Sequence, residues 1–283
     1  MTPDDRSASG EFETRKRVVP SRFDARIGRW LEATAGLVAL TALVAGAIAV
    51  AWHPARTAAF GGSLTLAVVV VAIVTGVAID RTARGGDPGP LTVASWITVT
   101  RGALLACFVG AFWSTTVVPE SGVETLTEYG ERTAETDAWL PAVLFAAVGL
   151  LDAVDGMVAR TTGAVTDLGA RLDAELDGLT ALAGSVAVVA LGAASVAFLA
   201  VGAARYLYVG SLWWRRRRER PVRDLPSSRV RAPLSAAVLV SIWLAVSPIT
   251  TAQQSVLLTA LVAVPFLANF LWDWLAVTAR VSR

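Results

Sequence analysis

Cysteine and histidine are almost missing from this chain of 283 residues. Cys107 is the single cysteine, so an intrachain disulfide framework is excluded. It sits in the apolar run LLACFVGAF and reads as a small buried hydrophobe. His53 is the single histidine, beside Pro54 in a short loop, and reads as solvated. A Cys/His zinc site is thereby excluded. So is a Ser-His-Asp triad, unless His53 supplies the base. Charge is scarce too, at 17% of residues against about 25% in a soluble domain. Lysine is nearly absent: of 25 basic residues, all but Lys16 are arginine. The net charge of +2 gives no reason to expect a nucleic-acid partner.

What fills the chain is apolar sequence, 54% of residues with mean hydropathy +0.57. Eight apolar segments run over 33–51, 63–79, 93–118, 138–160, 167–191, 193–213, 233–250 and 255–277. Each is close to the length of a membrane-crossing helix. Their length, continuity and Ala/Leu content favour helix, and the strict alternation of a barrel strand is missing. The expectation is an all-α polytopic integral membrane protein. The first 30 or so residues are polar, so a cleavable signal peptide is not expected.

Arginine placement sets the orientation. With eight crossings both termini lie on one side. That side collects Lys16, six tail arginines, Arg81, Arg84, the run Arg215–Arg218, Arg220, Arg223, Arg229, Arg231, Arg280 and Arg283. The other side holds Arg56, Arg132 and an acidic loop over 119–137. The positive-inside rule makes the Arg-rich side cytoplasmic. Trp30, Trp52, Trp139, Trp213, Trp214, Trp272 and Trp274 fall near segment ends, as an aromatic belt requires. The Gly/Pro-rich stretch 80–90 divides the chain. The organisation expected is a cytoplasmic tail (1–32), a two-helix membrane extension with its linker (33–88) and a six-helix core (89–283).

The chemistry concentrates in residues 152–177, DAVDGMVARTTGAVTDLGARLDAELD. Five aspartates and one glutamate stand in apolar surroundings. A central Asp costs about 2.5–3.5 kcal/mol on insertion, so four would cost about 10 kcal/mol uncompensated. Asp152 and Asp155 are i,i+3 and share a helical face. Gly169, Asp173 and Asp177 are i,i+4,i+8 and share another. The turn 161–166 brings the two faces to the same depth. Hard carboxylate oxygens suit Mg²⁺, Mn²⁺ or Ca²⁺, and four carboxylates match two divalent ions. Two such ions serve phosphoryl transfer. Small Gly156 and Ala159 let a ligand approach, and Arg160 is placed for a phosphate. Asp167 and Glu175 lie off these faces and read as solvated or supporting residues; Arg171 offsets local negative charge.

The spacing D-x2-D-G-x2-A-R-x8-G-x3-D-x3-D is met without a gap by Asp152, Asp155, Gly156, Ala159, Arg160, Gly169, Asp173 and Asp177. It resembles the signature of the CDP-alcohol phosphatidyltransferase family. The resemblance covers about residues 90–283, the family's six-helix core. It implies that a small alcohol attacks the β-phosphorus of a CDP-linked lipid and CMP leaves. By position, Asp152, Asp155, Asp173 and Asp177 would hold two Mg²⁺ or Mn²⁺ ions, and Asp177 would be the base. Asp152, Gly156, Ala159, Arg160, Gly169 and Asp173 would line the CDP pocket. SWITVTRG (95–102) resembles the family's first core helix, placing Thr98 and Arg101 toward the nucleotide; Arg101 as a snorkelling anchor is the alternative. Arg205, inside an apolar run and within about two turns of its cytoplasmic end, is a candidate for the acceptor's phosphate. Arg229 and Arg231 are further candidates, with a topogenic role as their alternative. The partners implied are a CDP-linked lipid, a small polar alcohol and the bilayer; family members commonly form homodimers. The site would open to the cytoplasm in the cell membrane. A cation transporter with an intramembrane carboxylate cluster and an inactive family relative are the rival readings.

Overall fold

The computed structural model describes residues 22–52, 57–86, 89–116, 128–162, 166–223 and 228–278. Its helices are α1 (Arg22–Trp52), α2 (Thr57–Ala83), α3 (Val93–Thr116), α4 (Glu128–Thr162), α5 (Asp167–Ala190), α6 (Leu199–Arg217), α7 (Arg231–Val246) and α8 (Ala252–Val277). One 3₁₀ turn, Val196–Phe198, precedes α6. Among the described residues there is no strand.

Each apolar segment carries a helix, but the crossings do not all follow. Among the described residues, six helices are long and apolar enough to span a bilayer: those at Phe23–Ala51, Ala58–Ala83, Val93–Thr115, Ala138–Val158, Val196–Arg217 and Ala252–Val277. α5 is left out because its first half carries Asp167, Arg171, Asp173, Glu175 and Asp177. α7 is only 16 residues long. The acidic stretch 128–137, expected in a loop, is helical and lengthens α4. His53, Arg56, residues 117–127 and the tail 1–21 lie outside the described residues, as do the side chains of 128–137.

Outward apolar side chains mark the lipid face. Leu43, Val50, Leu66, Leu257, Leu261 and Val264 are all at least 65% exposed. In water such a surface would aggregate; in hydrocarbon it is solvated. α3 is the opposite case, sunk among its neighbours with Ala103, Ala106, Cys107 and Ala111 fully buried.

Small residues bring the helices together. A Cβ on Gly202 of α6 would stand 2.8 Å from Leu182 Cα of α5, so only hydrogen fits at that crossing. Polar caps fix where helices start. The Thr166 hydroxyl accepts from Gly169 N at 3.0 Å and starts α5. Thr251 and Gln254 form a reciprocal capping box at α8. The N-terminal pair is stitched by Trp30 Nε1, which donates to Ala72 O at 2.9 Å, and by an Arg26–Asp80 ion pair. At the other end of the chain, Arg215 donates to Thr278 O at 3.1 Å, satisfying a carbonyl at the end of α8. Arg215 therefore has a structural task beyond topology.

Candidate active site

Three helices build the site. α3 contributes Thr98 and Arg101, one turn apart; α4 contributes Asp152 and Asp155; α5 contributes Asp173 and Asp177. The helical spacing puts each pair on one face. The Thr166 cap orients the first turn of α5.

Arg101 is the centre. It is 1% exposed, and its guanidinium binds three carboxylates. Nη1 lies 2.7 Å from Asp152 Oδ1 and 2.6 Å from Asp173 Oδ1; Nη2 lies 2.6 Å from Asp177 Oδ1. The snorkelling alternative does not hold, because a snorkelling arginine places its head in water. Charge-assisted bonds of this length are the strong kind. The aspartates remain 36%, 42% and 52% exposed along their side chains, so the cluster is closed behind by arginine and open in front.

Asp155 takes a different place. It is 5% exposed and accepts from the Thr98 hydroxyl at 2.6 Å. The grouped oxygens are those of Asp152, Asp173 and Asp177, all within 4.8 Å of one another. One guanidinium offsets one of those three charges, leaving two. Three hard oxygen donors with an excess charge of −2 fit a divalent cation of the Mg²⁺ or Mn²⁺ type. Asp155 stands behind the group and adds to its negative field.

The other expected residues divide. Gly169 sits in the first turn of α5; a Cβ there would meet the Thr166 and Ser95 hydroxyls at 3.1 and 3.6 Å. Gly156 is half-buried on α4. The side chains of Ala159 and Arg160 lie outside the described residues. Arg205 is half-buried, and its Nη2 lies 3.4 Å from Glu175 Oε1. It stands twelve residues before the end of α6, more than three turns, because the helix continues through the arginine run to Arg217. Arg231 Nε donates to Asp273 Oδ2 at 2.7 Å, joining α7 to α8. Arg229 is exposed.

Asp273 escaped the sequence reading, and Glu175 takes the supporting one of its two readings. Glu175 is 13% exposed and accepts from Arg81 Nη1 of α2 at 2.9 Å. Asp273 is buried and is also bonded by Asn269 Nδ2 at 3.2 Å. The cost of an acid at apolar depth would have flagged both, since each demands a partner. Asp167 is exposed, as the solvated one of its two readings expects, and Arg171 is exposed as well.

The family model for CDP-alcohol phosphatidyltransferase matches residues 91–280. No curated protein and no solved structure matches the chain.

Proposed function

Since the chain belongs to the CDP-alcohol phosphatidyltransferase family, we propose that it transfers a phosphatidyl-type or archaetidyl-type group from a CDP-linked lipid to a small polar alcohol, releasing CMP. The setting is phospholipid biosynthesis at the cytoplasmic face of the cell membrane. The observation that supports this best is the convergence of Asp152, Asp173 and Asp177 on buried Arg101. An open acidic cluster backed by one cation is what a metal–pyrophosphate site needs.

The chain's own groups supply the chemistry in order. Asp152, Asp173 and Asp177, with Asp155 behind them, would hold two Mg²⁺ or Mn²⁺ ions, whose positive charge would stabilise the pyrophosphate and the leaving CMP. By the signature's spacing, Gly156, Ala159, Arg160 and Gly169 are assigned to the nucleotide, with Thr98 acting through its bond to Asp155. Arg101 works from beneath by fixing three carboxylates, one oxygen each, and leaves their outer face to the ligand. The acceptor hydroxyl gives its proton to Asp177. Its oxygen then bonds to the β-phosphorus, and the bond from that phosphorus to the CMP oxygen breaks. The electron pair leaves with CMP. Arg205 is the acceptor-side cation of this scheme. Arg231 is engaged by Asp273, which supports an α7–α8 tie, and exposed Arg229 suits the cytoplasmic surface.

All eight helices cross the bilayer in this reading, α5 and α7 included, with α5 sheltered by its neighbours. Arginine placement supports cytoplasmic termini. The test is CMP release from CDP-diacylglycerol by purified protein in lipid nanodiscs, with Mg²⁺ and a panel of alcohols and their phosphate esters. CMP formation that requires one acceptor is expected. Absence of CMP with every acceptor, or turnover untouched by chelator, would overturn the reading.

A further inference from the structure

Glu175 stands between Asp173 and Asp177 in sequence but on another side of α5. A two-residue step turns a helix by about 200°. A single oxygen, Oε1, takes Arg81 Nη1 at 2.9 Å and Arg205 Nη2 at 3.4 Å. Arg81 belongs to α2, which lies before the stretch 91–280 that the family model matches. Arg205 belongs to α6. The arm of Arg205 lies across Gly178: a Cβ there would stand 2.5 Å from its Cδ. The arm is therefore packed against α5 at Cδ and Nε, and the head stands 3.4 Å from Glu175.

Two arginines and one glutamate leave a net charge of +1. Glu175 meets Arg81 at the shorter distance, so its attraction for Arg205 is divided. Without Arg81 the whole carboxylate charge would fall on Arg205. The pair would close and become neutral, and an anion at the site's edge would meet no free cation. With Arg81 present, the surplus positive charge stays on the side of α6.

We propose that Arg81, carried by the N-terminal helix pair, keeps Arg205 available to the phosphate group of a phosphorylated alcohol by sharing Glu175. The proposal rests on the transferase reading for its acceptor and extends it: the acceptor class is a phosphate ester. Arg81 and Glu175 are positioning residues that act through Arg205.

The test uses the full chain in phosphatidylcholine nanodiscs and equilibrium dialysis of radiolabelled inorganic phosphate. Arg205→Gln is expected to abolish saturable binding. Arg81→Gln is expected to weaken it about tenfold, while Arg81→Lys stays within about twofold. In a Glu175→Gln background, Arg81→Gln is expected to change binding by less than about twofold, because the influence runs through Glu175. Equal weakening in both backgrounds would make Arg81 a bulk charge and overturn the proposal. So would no effect of Arg81→Gln, binding that survives Arg205→Gln, or no binding to the natural chain. In CMP release, Arg81→Gln is expected to raise KM for the phosphorylated acceptor and leave kcat and the KM for CDP-diacylglycerol within about twofold. A rise confined to the CDP-lipid KM would assign the phosphate to the donor and overturn it. Lack of CMP release with every acceptor would sink the transferase reading, and the dialysis would still decide this proposal.

Discussion

Arg101 Nη2 reaches Asp177 Oδ1 at 2.6 Å across 76 residues of sequence. The same guanidinium holds Asp152 and Asp173, so the group proposed to accept the proton is fixed by a residue buried beneath it. A carboxylate tied by one oxygen keeps its direction and still offers the other oxygen.

Removing that tie is expected to damage stability and turnover together. Arg101→Gln leaves three carboxylates within 4.8 Å with no cation behind them. Breaking a buried pair costs 3–5 kcal/mol, and half-exposed partners reduce this to about 2 kcal/mol. Thermal unfolding in detergent measures it. Added Mg²⁺ should recover part of the loss, whereas a midpoint equal to the natural chain's in chelator would contradict the clasp.

Asp177→Asn is expected to lower CMP release by at least about 10³-fold, since it would remove both the proposed base and a proposed metal oxygen. Asp173→Asn is expected to weaken Mn²⁺ binding, read as free Mn²⁺ by paramagnetic resonance. Turnover retained by Asp177→Asn would move the base to another group.

Thr98 supports Asp155 through a single hydroxyl at 2.6 Å. Thr98→Val keeps the shape and leaves a buried carboxylate oxygen without that donor, costing about 1–3 kcal/mol. Thr98→Ser should retain most of the stability. Equal midpoints for Val and Ser would assign the effect to packing.

Arg231 and Asp273 tie α7 to α8 through a 2.7 Å hydrogen bond. Arg231→Gln is therefore expected to lower the unfolding midpoint while acceptor KM stays within about twofold. A selective rise in acceptor KM would return Arg231 to the acceptor site.

Cys107 is fully buried, so the natural chain should resist a membrane-impermeant maleimide. It offers a silent background for added cysteines. Gln253→Cys, at the start of α8, should label from outside intact cells. Arg216→Cys, at the far end of α6, should label only after permeabilisation. The reverse pattern would invert the proposed orientation.

Hydropathy located every helix, yet misplaced several ends, and the reason is physical. Apolar runs measure the depth of hydrocarbon, whereas helices continue into water. α1 therefore starts at Arg22 and not at 33, and α4 at Glu128 and not at 138. Gly192, at φ +68°, and the 3₁₀ turn delay α6 to Leu199. In the site, i,i+3 and i,i+4 spacing put Asp152, Asp173 and Asp177 on usable faces. What spacing could not supply is which side chain of α3 meets them, or that Asp155 turns to Thr98. Those depend on how three helices rotate against each other. The partners of Glu175 and Asp273 were hidden for the same reason, because they lie on helices remote in sequence.

The buried guanidinium also constrains how the chain is made. Arg101 leaves the ribosome 72 and 76 residues ahead of Asp173 and Asp177. A lone arginine at the centre of a helix costs about 2.5–3.5 kcal/mol to insert through the translocon. α3 therefore carries this cost on its own apolar residues until α4 and α5 emerge with the carboxylates that offset it, so membrane insertion and assembly of the aspartate cluster both turn on one side chain.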